Sequence, residues 1–164
     1  MERLLTALTY GADAVYLGAS RLNLRAKAKG FSTEELAQAF SLVREKGKSC
    51  YFCLNAYPRQ QHMAEVEGEL EWLAGLENRP HALIIADPGV LRLARNILPD
   101  MDIHLSTQAN TANAASLAFW KDMGVTRANL ARELSAPEIR ALARADTGLE
   151  LEVFVHGAMC MALS

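Results

Sequence analysis

The segment Glu152-Val-Phe-Val-His-Gly-Ala-Met-Cys160 gathers the most reactive side chains of the chain. An apolar run delivers His156 to its end, Gly157 and Ala158 permit a tight backbone turn, and Cys160 follows. A thiol close behind an imidazole supports two chemistries: a thiolate nucleophile with a histidine base, or ligation of a metal or cluster by the sulfur. It also has an ordinary reading, because a buried thiol usually packs as an inert apolar group. The nucleophile needs a base within hydrogen-bond reach, which spacing alone does not show.

Cys50 and Cys53 form a Cys-x-x-Cys, normally a metal or redox signal. Here the pair falls inside the strand-like run Cys50-Tyr-Phe-Cys-Leu54. Side chains alternate along a strand, so residues three apart point to opposite faces and cannot share one ion. The spacing is therefore read as coincidental.

Other polar groups follow apolar runs. Asn55 comes after the second run, and Asp87-Pro88-Gly89 after the third. Asp before Pro is a standard helix start, with the carboxylate capping the first turn; the same carboxylate can also orient a substrate. Ser106-Thr-Gln-Ala-Asn110 brings hydroxyls and amides, including Gln108, suited to a polar ring or sugar. Asn110 and Asn113 also suit capping of the next helix. Arg132-Glu133 reads either as an ion pair or as a guanidinium free to hold a carboxylate or phosphate bidentately. Arg25 and Lys27 add positive charge after the first run. His62 and His81 are read as surface residues.

The elements that would position these groups alternate. Strands are expected at Ala14 to Leu17, Cys50 to Leu54, Ala82 to Ala86, Asp102 to Leu105, Thr126 to Leu130 and Leu151 to Val155. Helices are expected at Glu2 to Tyr10, Ser32 to Lys46, His62 to Leu76, Gly89 to Leu98, Ala112 to Met123 and Ala136 to Ala145. Near-continuous apolar strands with helical crossovers imply a parallel sheet covered by helices. No Gly-x-Gly-x-x-Gly follows any strand, which weakens the dinucleotide-binding open sheet. Polar residues at nearly every strand end favour a (β/α)8 TIM-barrel-like domain, since barrel enzymes draw their sites from many strand ends. Six strands are too few to close it, and the chain opens on a helix and stops soon after a strand. The expectation is a single fragment, residues 1–164, of an incomplete barrel lacking about one strand at each end. Its exposed sheet edges invite pairing with another copy.

Composition adds bounds. The chain is 51% hydrophobic and 22% charged, with net charge −2, ordinary for a globular protein and without global attraction to nucleic acid. Three cysteines and no leader-like N-terminus suggest a reducing, cytoplasmic setting, and no apolar run is long enough to span a membrane. No His-Glu-x-x-His and no Gly-x-Ser-x-Gly occurs, so Cys160 with His156 is the sole nucleophile candidate.

Six markers together resemble peptidase family U32, the collagenase-like peptidases. They are Gly11-Ala-Asp-Ala-Val-Tyr-Leu-Gly18, Asn23-Leu-Arg-Ala26, Ala86-Asp-Pro-Gly89, His104-Leu-Ser-Thr-Gln108, Ala131-Arg-Glu-Leu-Ser135 and Phe154-Val-His-Gly-Ala-Met-Cys160. They run in order along nearly the whole chain. The resemblance implies a barrel-like N-terminal domain whose first strand would precede Met1. It implies a continuation past Ser164 with Gly-Arg-Cys and further cysteines. Some members are regarded as proteases or collagenases. Others are oxygen-independent hydroxylation enzymes carrying a four-iron four-sulfur cluster, and the last marker is most similar to the transfer-RNA branch. In that branch Cys160 corresponds to the first cluster cysteine, and the other three would lie downstream. The implied function is prephenate-dependent hydroxylation of the wobble uridine of transfer RNA. Arg25, Gln108, Arg132 and His156 are expected nearest the co-substrate, with Asn55 and Asp87 behind them. The alternatives are a peptidase with Cys160 as nucleophile, acting on a peptide substrate, and a non-catalytic scaffold or heterodimer subunit.

Overall fold

The computed structural model describes residues 1–19 and 30–157. Arg25, Lys27 and Cys160 lie outside the described residues. The chain divides into two compact units, Met1–Met101 and Asp102 onward.

The first unit runs α1 (Glu2–Thr9), β1 (Ala14–Gly18), α2 (Thr33–Glu45), β2 (Ser49–Leu54), α3 (Met63–Ala74), β3 (Ala82–Ile85) and α4 (Pro88–Ile97). β1 pairs with β2 and β2 with β3, both parallel, in the registers Val15↔Cys50 and Leu54↔Ile85. That register sorts the side chains. Val15, Leu17, Cys50, Phe52, Leu54, Leu83 and Ile85 are all buried. Tyr16 and Tyr51, one position out of phase with them, are exposed and half-buried.

Helix α2 shows why the buried rows are helix-facing. Its buried residues Leu36, Ala39, Phe40 and Val43 recur at helical spacing and form one stripe. The Phe40 ring meets Phe52 edge to face, with centroids 6.1 Å apart. Ser32 starts the helix with a capping box: its Oγ accepts from the Glu35 N–H, and the Glu35 carboxylate accepts from the Ser32 N–H at 2.8 Å. Gly47, at φ +65°, ends it, a left-handed conformation that glycine adopts without strain. His81 is more than a surface residue. Its N–H donates to the Cys50 carbonyl at 2.7 Å, and its ring Nδ1 accepts from the Cys50 N–H at 3.1 Å. The imidazole thus extends the β2–β3 pairing by one step. His62 sits in a short 3₁₀ turn, Gln60–His62, ahead of α3 rather than within it.

The second unit runs β4 (Asp102–Leu105), α5 (Ala114–Asp122), β5 (Arg127–Asn129), α6 (Ala136–Arg144) and β6 (Glu150–Glu152). Its strands are again parallel and sequential, with His104↔Arg127 and Arg127↔Glu150 in register. Ile103, Leu105, Ala128 and Leu130 make the buried apolar rows. The polar residues His104, Arg127, Asn129, Glu150 and Glu152 occupy the alternate positions. The last strand is shorter than the apolar run Leu151 to Val155 suggests. β5 gives way to a turn after Leu130, the final rung among the described residues is the Leu130 N–H to the Glu152 carbonyl, and Val153 to Gly157 are exposed. Without a neighbouring ladder, apolar β-formers do not continue a strand.

The interlock between Phe40 and Phe52 sets a first prediction. Phe52→Ala removes a wholly buried ring and should cost about 3–5 kcal/mol, read as a lowered urea midpoint. The exposed Tyr16→Ala should move the midpoint far less.

Candidate functional site

Parallel strands all point the same way, so their carboxyl-terminal ends deliver side chains to one end of each sheet. In the first unit the ends of β2 and β3 bring Asn55, Tyr57 and Asp87 into one neighbourhood. Asn55 is half-buried and its Oδ1 is sealed from solvent. The Asp87 Oδ1 accepts from the Val90 N–H at 3.0 Å, and Pro88 occupies the first helical turn, so Asp87 is the N-cap of α4. The carboxylate also reaches Tyr57: burial raises the phenol's pKa, and the Asp87 charge adds to the rise. A Cβ on Gly89 would stand 3.0 Å from the Asp87 Oδ1, tight enough to disturb the cap. Sequence reasoning overlooked Tyr57. Its position two residues past Asn55 was the available signal.

Cys50 and Cys53 take the opposite-face arrangement that alternation requires. Both are buried free thiols. Burial, and then the neighbouring Cys53, push the Cys50 thiol up to about 12, so it stays protonated. Among the described residues no three His, Cys, Asp or Glu side chains converge as a metal site would need. Cys160 lies outside the described residues.

In the second unit the strand ends are tied together by backbone-directed bonds. The Asn129 side-chain amide donates to the Leu105 carbonyl at 3.1 Å, and the Thr107 hydroxyl donates to the Leu130 carbonyl at 3.2 Å. The Ala131 N–H donates to the Thr111 carbonyl at 3.1 Å. Ser106 caps the 3₁₀ turn Thr107–Ala109 by accepting from the Gln108 N–H. Gln108 is buried rather than open at the rim. Asn110 takes a left-handed conformation at φ +50°, which asparagine tolerates better than most residues. Asn113 is the helix cap, its Oδ1 accepting from the Ser116 N–H at 2.9 Å.

Arg132 emerges from the turn after β5, and its guanidinium carbon sits over the Phe154 ring, 4.0 Å from the centroid. This ring is one described contact of the arginine. His156 is exposed, just past Phe154. The structure thus brings Arg132 and Phe154 together and places Asn129 and Gln108 in the adjoining strand ends. Asn129 and Phe154 were both missed as candidates. Asn129 was legible as a polar residue at the tip of an otherwise apolar strand.

Below the strand tips the polar face holds a partly exposed ladder. Arg127 pairs with Glu150 at 2.6 Å and with Glu152 at 3.4 Å. His104 lies in the same row and is buried. Burial, reinforced by the Arg127 charge, lowers its pKa to about 4, against the opposing pull of Asp102 and Glu150. His104 is therefore neutral at pH 7. It supports the strands and donates no charge to the tips.

Comparison with known proteins adds to this geometry. A profile of peptidase family U32 matches residues 1–164. The chain is 42% identical over 158 residues to the "tRNA hydroxylation protein P" of Haemophilus influenzae, covering 96% of this chain and 34% of that protein. It is 32% identical to a "Collagenase" of Porphyromonas gingivalis, covering 99% of this chain and 41% of that one. The chain thus spans about a third of the length of the former relative. Among solved structures, "The Structure of the U32 Peptidase Mk0906" superposes with a TM-score of 0.71 at 14% identity, covering 91% of this chain and 63% of that chain. The likeness shows the fold: an α/β, TIM-barrel-like domain in which this chain supplies six parallel strands among the described residues.

Two predictions follow from the site's geometry. Asp87→Ala should cost about 1 kcal/mol through loss of the cap, whereas Asp87→Asn, itself a good cap, should keep the melting temperature. If Asp87 also orients substrate, Asp87→Asn should lower turnover while leaving stability intact. For His104 the folded pKa lies below the unfolded value of 6.5, so its contribution is present above pH 6.5 and lost as pH falls towards 4. Wild type should lose roughly 2–4 kcal/mol more than His104→Gln across that window, measured by denaturant titration at each pH.

Proposed function

Because the chain belongs to peptidase family U32, we propose that it is the barrel portion of an enzyme that hydroxylates transfer RNA. The 42% identity to a tRNA hydroxylation protein, running along 96% of the chain, carries this reading. The proposed reaction installs a hydroxyl on the wobble uridine without molecular oxygen and uses prephenate as organic co-substrate. A cytoplasmic setting accords with an RNA substrate, and no helix among the described residues is long and apolar enough to cross a membrane.

The chemistry of the strand tips suits such a co-substrate. Prephenate carries carboxylates, and Arg132 offers a planar donor fork for one of them. Arg25 lies outside the described residues. Within the second unit Gln108 would supply a neutral amide, which bonds a polar ring without adding charge. His156, exposed after β6, would carry a proton in this reading. In the full-length protein Cys160 would be one thiolate ligand of a four-iron four-sulfur cluster, whose role when bound is one-electron chemistry. The other ligands would come from outside this chain, because Cys50 and Cys53 are buried within the strand packing.

The relative named a collagenase keeps a second reading in view: a peptidase with Cys160 as nucleophile and His156 as base. One set of variants in the full-length protein separates the two. For the hydroxylation enzyme, deleting the gene should remove the hydroxylated wobble uridine from cellular transfer RNA, seen by nucleoside mass spectrometry. Restoring the gene as Arg132→Ala should recover about a tenth of the modification or less, and Cys160→Ser should abolish it together with bound iron and sulfide. Unchanged transfer RNA, with Cys160-dependent cleavage of collagen-like peptides, would replace this reading with the peptidase.

A further inference from the structure

Helix α5 carries more apolar surface than its own unit covers. It reads Ala-Ala-Ser-Leu-Ala-Phe-Trp-Lys-Asp and keeps a single residue buried, Leu117. Helical spacing puts Ala115, Ala118, Phe119 and Asp122 on the side away from Leu117, and all four are exposed. Phe119 is 53% exposed, and Met123, the C-cap one turn further along, is 46% exposed. The Phe119 ring is braced from one side by Trp120, edge to face with centroids 5.2 Å apart. A helix with apolar residues on opposite faces packs on both of them, and a contiguous apolar stripe open to water marks a contact surface.

The order of residues along the stripe decides what fits it. Its amino-terminal half is small, Ala115 and Ala118, and its carboxyl-terminal half is large, Phe119 and Met123. A second α5 laid antiparallel sets each Phe119 over the other copy's Ala115, large against small, about a twofold axis near Ala118. Charge agrees with size. The Asn113 Oδ1 accepts from the Ser116 N–H and the Asn113 carbonyl from the Leu117 N–H, so the Ala114 and Ala115 amides are left over at the helix start. Antiparallel packing brings Asp122 of one copy to that positive end of the other. Parallel packing would instead oppose Phe119 to Phe119 and Asp122 to Asp122.

We propose that the outer face of α5 is a contact between two copies of this chain, each packing its own α5 antiparallel across the other. The contact is independent of the reaction proposed above. One helix of nine residues falls short of the roughly 800 Å² per partner of a standard interface. The dimer is therefore weak, with a Kd of about 10–100 µM.

Sedimentation equilibrium of the full-length protein from about 1 to 500 µM should show a monomer–dimer equilibrium in that range. Phe119→Glu sets a carboxylate into the apolar seam and should weaken association at least about tenfold. Asp122→Lys reverses the charge at both ends and should weaken it about three- to thirtyfold, with a smaller loss at high salt. Ala118→Cys, close to the axis, should yield a disulfide-linked dimer on oxidation beyond the wild-type level. Glu71→Cys, exposed on α3, should not. A monomer at every concentration overturns the proposal; protection of Met123 from peroxide in that monomer would show that another part of the protein covers α5. A dimer that Phe119→Glu and Asp122→Lys leave intact overturns it too, because the contact then lies elsewhere. Should Phe119→Glu misfold, Asp122→Lys and the Ala118→Cys cross-link decide.

Discussion

Parallel pairing in strict register is the constraint on which the rest depends. With Val15 opposite Cys50, and Arg127 opposite both His104 and Glu150, every second residue is committed to one face. A slip by one residue would carry Phe52 away from Phe40 and turn Arg127 and Glu150 into the apolar packing. Each unit resists such a slip in its own way. In the first, the ring interlock and the His81 clamp on Cys50 fix β2 against its helix and its neighbour. In the second, the Arg127 bridges to Glu150 and Glu152 fix β5 against β6. A partly exposed ion pair is worth little on its own, but one guanidinium spanning two carboxylates on a neighbouring strand specifies which residues face each other.

The same register explains why reactive residues collect where they do. A polar group within a strand must either be bonded or face away from the apolar packing, and the strand tips are where neither demand restricts chemistry. Asn129 and Thr107 spend their bonding on carbonyls of adjacent strands, and Ser106 caps a turn. These bonds leave the tips stiff. Rigid tips would suit the co-substrate proposed above, which must be held within a fraction of an ångström of its reacting partner.

Much of the fold was legible because two periodicities are plain in the sequence. The stripe Leu36, Ala39, Phe40 and Val43 announces a helix, and Ser32 with Glu35 announces its start. Short apolar runs announce strands, and their alternation with helices announces parallel pairing. What was not legible came from partners distant in sequence. Strand length at β6 is set by where β5 turns, not by the β-propensity of Val153 to Val155. His81 is the surface residue expected, but its bond to Cys50 was not legible because it spans 31 positions. The site shows the same division. Asp87 as a cap was readable from Asp-Pro alone, whereas Arg132 on Phe154 required two separate strand ends to be brought together.

Capping and catalysis need not compete for the same side chain. A cap uses one carboxylate oxygen to satisfy one amide, as Asp87 does with Val90, and that bond holds the carboxyl group in a fixed orientation. Its charge is still felt by Tyr57, whose pKa rises in part because of it. A residue that begins a helix at a strand tip therefore arrives at the site already oriented, with no separate device needed to hold it.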